Sequence, residues 1–346
     1  MNKKILTIIP HCSTGGLPKF TLNRIELLKD DFEIMCIEYD FLSPNYVVQR
    51  NKIIEILGNN FKSLGDNKEY LIDVIDNFNP EVIIIDEFPE NFMADNIAEQ
   101  IYTKEDRKYI ILESTHSSDD SKDKKKWFPD KFIFVSDYSA KIYGNLGVPY
   151  EVIQYPVDKK HKDIIGSRER LLFDSEYRHV INVGLFTSGK NQGYAFELAR
   201  KLQNYKIKFH FVGNMATNFK EYWEPIIKNK PNNCIIWGER SDVDDFLMAS
   251  DLFLFTSKSE LNPLVIKESL CYNLPQLIFN LNTYCGVYDD IDTIKFLTGD
   301  IDKDCQKILD ILGDYVEESV FQINEPEFLF GPSPIEYLND AFVFIK

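Results

Sequence analysis

Short runs of β-branched and other apolar residues, each followed by a stretch with helical spacing, recur along this chain in two series. That rhythm limits the possible fold more than any other feature. KILTII (4–9), FEIMCI (32–37), EVIIID (81–86), KYIILE (108–113) and KFIFV (131–135) make up the first series. Runs without polar alternation suit strands buried on both faces, as in a parallel sheet. Helical patterns at 18–30, 67–78 and 90–103 separate them. The rhythm restarts with HVINVG (179–184), IKFHFVG (207–213), NCIIWG (233–238), DLFLFT (251–256) and PQLIF (275–279), with helices at 191–203, 241–249 and 263–272. Repeated βα units predict an α/β fold of two doubly wound, Rossmann-like sheets with right-handed crossovers. A length of 346 residues suits two domains. The polar stretch 155–178, with Pro156 and Gly166 and no strand, is the natural boundary. The expected division is an N-terminal domain over 1–155, a linker over 156–178, a C-terminal domain over 179–330, and a last helix over 331–346 packing back on the first domain. Doubly wound sheets bind ligands beyond the C-terminal ends of their strands. Two such domains facing each other would therefore hold substrate in a cleft.

Charge and composition narrow the function. The net charge is −16, and it divides evenly: 18 basic against 26 acidic residues in 1–155, and 21 against 29 in 156–346. A nucleic-acid binder would show a basic face, and this balance argues against one. The single basic cluster, Lys122 with Lys124, Lys125 and Lys126, reads as a solvated loop, with an anion contact as the alternative. Six cysteines include no CxxC pair and no metal spacing, and there are five histidines, so no metal site is expected. No apolar run is long enough for a membrane helix, and the apolar opening ILTII, cut off by Pro10, reads as a first strand rather than a signal peptide. These features predict a cytoplasmic protein in a reducing compartment.

Two segments carry chemistry. In Ser257-Lys258-Ser259-Glu260-Leu261-Asn262-Pro263-Leu264-Val265-Ile266-Lys267-Glu268 a strand ends and a helix begins, with Pro263 suited to the first helical position. The Leu264 and Val265 N–H groups would then lie in the first turn, able to cradle a phosphate. Glu268, one turn on, could accept hydrogen bonds from a ribose diol, and Glu260 from a sugar. On spacing alone, Glu260 could equally be solvated and Glu268 paired with Lys267 or a distant base. In Gly184-Leu185-Phe186-Thr187-Ser188-Gly189-Lys190-Asn191, a glycine-lined turn and Lys190 suit a diphosphate. It is not a Walker loop, because Asn191 stands where that motif needs a hydroxyl.

Together these segments resemble the donor-binding domain of GT-B glycosyltransferases, family 4. ELNPLVIKE matches that family's E-x7-E signature. The family's landmarks recur in order: Gly184 to Lys190, Val212-Gly213, Trp237-Gly238, Ala249-Ser250-Asp251, and Cys271 through Pro275. Upstream, Ser13-Thr14-Gly15-Gly16 is similar to the family's Gly-Gly turn, and Glu113-Ser114-Thr115-His116 to its strand-end histidine. Phe134-Val135-Ser136 and Tyr155-Pro156-Val157-Asp158 are similar to the close of its first domain. The resemblance covers about residues 4 to 290. It implies metal-independent transfer, with retention, from a nucleotide-diphosphate sugar to a saccharide or glycan, with no other cofactor. Lys190 and the Leu264 and Val265 N–H groups would hold the diphosphate, Glu268 the ribose and Glu260 the transferred sugar. Gly15 and Gly16 would let backbone approach the diphosphate, and His116 would line the sugar and acceptor side. Two departures stand out. Leu185 replaces the arginine that usually follows the first glycine, and Arg240 is the candidate to compensate. Asn273 replaces a glycine, which a left-handed conformation would accommodate.

Other readings compete. A metal-dependent GT-A enzyme would use a DxD, and Asp242-Val243-Asp244, Asp290-Ile291-Asp292 and Asp300-Ile301-Asp302 supply such strings, though none ends a central strand. No GxGxxG follows the first strand, against a Rossmann oxidoreductase. A catalytically inert GT-B-like binding module is kept in play by Leu185. The acceptor side is the least legible: Gln49, Arg50 and Asn51 read either as acceptor contacts or as a solvated helix face. Modified DNA or protein as acceptor is the alternative to a saccharide.

Overall fold

The computed structural model describes residues 3–13, 15–41, 48–117, 122–154, 157 and 162–313. Thr14, Tyr155, Pro156, Asp158 and the expected 331–346 helix lie outside the described residues. The described residues divide into two compact units, within Met1–Pro156 and Val157–Glu327.

The first unit holds strands β1 (Lys4–Ile9), β2 (Glu33–Glu38), β3 (Phe61–Ser63), β4 (Val82–Asp86), β5 (Ile110–Ser114), β6 (Lys131–Phe134) and β7 (Tyr150–Val152). Its helices are α1 (Gly16–Leu28), α2 (Val48–Leu57), α3 (Tyr70–Phe78), α4 (Asp95–Tyr102) and α5 (Asp137–Tyr143). The strands lie in the order β3-β2-β1-β4-β5-β6-β7, all parallel. Alternate side chains of β1 feed two cores. Ile5 and Ile9 pack with Leu22, Ile25 and Leu28 of α1; Leu6 and Ile8 pack with α3 and α4 through Leu71, Val74, Ile97 and Ile101. This is the period-two burial of a strand covered by helices on both faces.

The second unit holds α6 (Ile164–Leu171), β8 (Arg178–Val183), α7 (Gln192–Lys201), β9 (Ile207–Val212), α8 (Lys220–Lys228) and β10 (Cys234–Gly238). It continues with α9 (Val243–Ala249), β11 (Leu252–Phe255), α10 (Leu264–Leu270), β12 (Gln276–Ile278), β13 (Ile294–Phe296) and α11 (Ile301–Gly313). The strand order is β10-β9-β8-β11-β12-β13, again parallel throughout. The tips of β8 and β9 approach so closely that a Cβ on Gly213 would lie 1.9 Å from the Gly184 carbonyl oxygen. Only glycine fits there.

Part of the stretch expected as a linker is ordered. Asp163 caps α6 by accepting from the Gly166 N–H at 3.0 Å. Arg168 of this helix donates to the Ala249 carbonyl at 2.9 Å and to Asp251 at 2.8 Å, and Arg170 donates to Asp245 at 2.6 Å. The helix is polar because its contacts with the α9 region are ion pairs, so its sequence lacks the apolar spacing that marks a helix. The short strands β3, β7 and β13, three residues each, escape a pattern reading for want of length.

Behind β8 and β9 a hydrogen-bonded chain crosses the core of the second unit. The Trp237 indole can only donate, and it does so to His210 Nδ1 at 3.1 Å. The His210 proton therefore sits on Nε2 and is donated to His179 Nδ1 at 2.9 Å. His179 Nε2–H in turn donates to the Asp174 carbonyl at 2.9 Å. Phe173 stacks on both imidazoles at 4.2 Å. Every position is filled with both rings neutral. Burial pushes His210 down to about 3, aided by His179 and Lys208; burial also lowers His179. A buried histidine with a depressed folded pKa contributes its full stability above the unfolded value near 6.5 and loses it as pH falls toward the folded value. The second unit should lose on the order of 3–5 kcal/mol between pH 6.5 and pH 4. Its melting temperature, followed in steps of half a pH unit, should begin to fall near pH 6.5; a flat profile down to pH 4.5 would contradict the neutral pair.

Candidate functional site

The strand order of the second sheet reverses direction between β8 and β11, where a doubly wound sheet opens a crevice beyond its strand ends. Both motif segments start there. Lys190 lies at the end of the turn after β8 and Glu260 in the loop after β11, and their side chains form an ion pair. The lysine ammonium also lies 5.2 Å from the Phe255 ring centre. The Glu260 side chain is only 10% exposed and that of Lys190 29%. The pair is thus largely buried at the strand ends.

The two loops are stitched together by hydroxyls and backbone. The Gly189 carbonyl accepts from the Lys258 N–H at 2.8 Å and from Ser257 Oγ at 3.1 Å. Thr256 Oγ1 donates to the Lys190 and Asn191 carbonyls at 3.2 and 3.0 Å. Within the turn, Thr187 Oγ1 accepts from the Lys190 N–H at 3.2 Å. Asn191 takes the left-handed conformation at φ 54° that starts α7. A Cβ on Gly184 would touch the Lys190 stem at 3.4 Å. Lys190 is therefore placed by its backbone, with little freedom left to its loop.

The E-x7-E helix begins one residue later than expected. Pro263, extended at ψ 115°, is the residue before the helix, and α10 starts at Leu264. The Leu264 and Val265 N–H groups then occupy the first two helical positions. Glu268 sits on α10 and is half-buried, beside Lys267, whose side chain is fully buried and pushed down to about 7 by that burial. Behind Glu260, Thr283 Oγ1 donates to its carbonyl at 2.5 Å. The adjacent Tyr284 is buried, and its hydroxyl has no hydrogen-bond partner among the described residues. Burial and the charge of Glu260 raise its phenol above the usual range. Asn273 adopts φ 53°, the left-handed conformation that lets asparagine stand in for glycine.

The first sheet carries a switch point of its own between β1 and β4. Gly15, at φ 119°, precedes α1, and Gly16 opens it. Arg24 of α1 grips Asp86 at the end of β4 through two bonds of 2.8 and 2.5 Å. Thr21 Oγ1 adds a third at 3.0 Å. Burial alone would raise the Asp86 carboxyl, but Arg24 and these donors hold it below the ordinary value. Ser114 Oγ donates to Asp86 at 3.3 Å and lies 3.0 Å from His116 Nε2. Because the serine proton goes to the carboxylate, the histidine proton is on Nε2. Burial pushes His116 down to about 4, so it is a neutral group at physiological pH. The next residue after Asp86, Glu87, is held at φ 101°, a costly conformation for a non-glycine residue. Its carboxylate accepts from Thr115 Oγ1 at 2.8 Å and from the His116 N–H at 3.1 Å. Ser114 and the strained Glu87 are thus both hydrogen-bonded to His116.

Several residues stand elsewhere than expected. Arg50 is buried and bidentate to Glu38, with bonds of 2.9 and 2.5 Å, rather than solvated or offered to an acceptor. Within the basic cluster, Lys125 is buried between Glu90 at 3.0 Å and Glu113 at 2.7 Å, while Lys126 remains outside, paired with Asp95. Burial raises Glu113 to about 8 despite that lysine. Arg240 closes on Asp242 with bonds of 2.8 and 2.6 Å after the edge strand β10. It follows a strand two places from β8 in the sheet order. Two of the three DxD strings are engaged likewise: Asp244 accepts from Tyr272, Asp300 caps α11 and Asp302 pairs with Lys201. Among the described residues no three His, Cys, Asp or Glu side chains are grouped as metal ligands, and no helix is long and apolar enough to cross a membrane.

The residues missed by the sequence reading are those that act through geometry. Arg24, Asp86 and Glu87 carry no motif, and only their position at a strand end marks them. Thr256 and Ser257 precede the glutamate motif and were legible only as the end of a strand.

This geometry defines a class. Residues 163–314, most of the second unit, match the family described as Glycosyl transferases group 1. The two parallel-sheet units together have the GT-B fold. HepE of Anabaena, in complex with UDP and glucose, superposes with a TM-score of 0.70 at 13% identity, over 92% of this chain and 90% of that one. Sucrose-phosphate synthase of Thermosynechococcus elongatus gives 0.68 at 15% identity, over 90% of each chain. A glycosyltransferase of Rickettsia africae gives 0.69 at 15%, over 90% and 88%. No curated protein matches the sequence.

Proposed function

We propose that this protein is a retaining, metal-independent glycosyltransferase that moves a sugar from a nucleotide-diphosphate donor to a saccharide or glycan in the cytoplasm. The observation that carries the proposal is the Lys190–Glu260 pair, held at the β8–β11 switch point of a Glycosyl transferases group 1 domain. Lys190 is the cation for the leaving diphosphate, assisted by the Leu264 and Val265 N–H groups at the start of α10. Glu268 takes the ribose and Glu260 the hydroxyls of the transferred sugar, the working roles of a family 4 E-x7-E motif. In the first unit, Gly15 and Gly16 give backbone N–H groups room beside a substrate, and neutral His116 offers an imidazole for a hydroxyl. Solved neighbours bound to UDP, UDP-glucose, or UDP and glucose make a uridine diphosphate sugar the first donor to try.

Glu260 serves hydroxyls in this scheme rather than acting as the nucleophile at the anomeric carbon that double displacement requires. Departure and attack therefore occur on one face, with the diphosphate taking the acceptor proton. In EDTA, NMR of the anomeric proton in the first-formed product should show the donor's own configuration. An inverted product contradicts the family 4 reading; transfer lost in EDTA and restored by manganese contradicts metal independence.

A further inference from the structure

Lys190 and Glu260 are assigned to different parts of the donor, the diphosphate and the sugar, yet their side chains are paired with each other. Each must share or loosen that contact to serve its ligand group. Both loops are fixed by Thr256, Ser257, Gly189 and Lys258, and the Glu260 backbone is held by Thr283. The exchange is thus confined to two side chains turning on rigid backbone. We propose that the Lys190–Glu260 pair is a discriminating contact, which makes the site prefer a nucleotide-diphosphate sugar over the bare nucleotide diphosphate left after transfer.

The argument is one of compensation. A diphosphate that claims Lys190 strands the Glu260 carboxylate, 10% exposed, without its cation. A buried carboxylate that has lost its partner is costly. A donor that carries a sugar offers that carboxylate hydroxyl donors in exchange, while a bare diphosphate offers none. After transfer the sugar has gone, Glu260 is again unpaired, and it competes with the diphosphate for Lys190. The same pair that favours the donor therefore helps to expel the product. Glu260 acts on specificity through its contact with Lys190, in addition to its contact with sugar.

This inference rests on the donor site proposed above, and calorimetry on four proteins separates the two. UDP and UDP-glucose are the first probes, followed by the GDP, ADP, CDP and dTDP pairs; the pair giving the largest thermal shift with the unmodified protein is carried forward. Glu260→Gln should bind the bare diphosphate roughly fivefold or more tightly, because the amide no longer competes for Lys190. The same variant should lose the preference for the sugar nucleotide. Lys190→Ala should weaken the diphosphate roughly tenfold or more. In the Lys190→Ala background, adding Glu260→Gln should change diphosphate affinity by less than about twofold, since the contact is already gone. Unchanged or weaker diphosphate binding by Glu260→Gln, with Lys190→Ala still impaired, overturns the discriminating contact and leaves the donor site standing. If Lys190→Ala binds every probe as the unmodified protein does, or no probe binds, the donor site itself is wrong.

Discussion

Arg24→Met should cost the first unit about 3–5 kcal/mol of stability, the usual penalty for removing one partner of a buried ion pair. Asp86 is completely buried at the end of a central strand, and Arg24 supplies two of its hydrogen bonds. Without the guanidinium, burial would dominate and the carboxyl would have to protonate or stay charged with only Thr21 and Ser114 for support. The same change would disturb the Asp86–Ser114–His116 chain, so loss of stability and an altered His116 tautomer should appear together. Asp86→Asn added to Arg24→Met removes the stranded charge and should recover about half of the loss or more. Melting temperature and denaturant midpoint of the single and double variants measure the effect. Additive losses would mean that the two residues do not depend on each other.

Lys190→Ala should lower the rate of sugar transfer by about 10²–10³-fold, the loss expected when one preorganised group that meets developing charge is removed. In the proposed reaction negative charge grows on the diphosphate as the glycosidic bond breaks, and Lys190 is the cation proposed to meet it. Leu185, half-buried, stands where the resemblance to family 4 would place an arginine. Arg240 is paired with Asp242, and the larger share of the charge falls to Lys190 in the proposed site. The loss should fall mainly on kcat if the interaction strengthens in the transition state, and on KM if it is uniform. Steady-state kinetics with the preferred donor distinguishes the two, and a variant that retains more than about a third of kcat/KM would contradict this role.

The sheets were legible in the sequence because their strands are buried on both faces. Ile5, Leu6, Ile8, Ile83, Ile84 and Ile85 are all inaccessible, so apolar runs replace alternation and cannot be mistaken for loops. The strand-to-helix turns at Lys190 and Glu260 were legible as well, because glycine or proline stands where each strand gives way to a helix. What the sequence hid were pairings between distant residues. Arg50 on α2 looked solvated, since nothing local shows that Glu38 waits at the end of β2. Lys125 looked like part of a surface run until Glu90 and Glu113 closed around it. Arg168 and Arg170 made α6 look like a linker because their partners Asp245 and Asp251 lie far along the chain. In each case a charged side chain is buried against a partner that no short-range pattern reveals.

The most direct test of the central claim is release of nucleotide diphosphate from nucleotide-sugar donors, measured in EDTA for the unmodified protein and for Lys190→Ala. The account predicts release from at least one donor by the unmodified protein and a loss of about 10²-fold or more in the variant. Release at equal rates by both proteins, or release that requires manganese, would contradict a metal-free donor site built on Lys190.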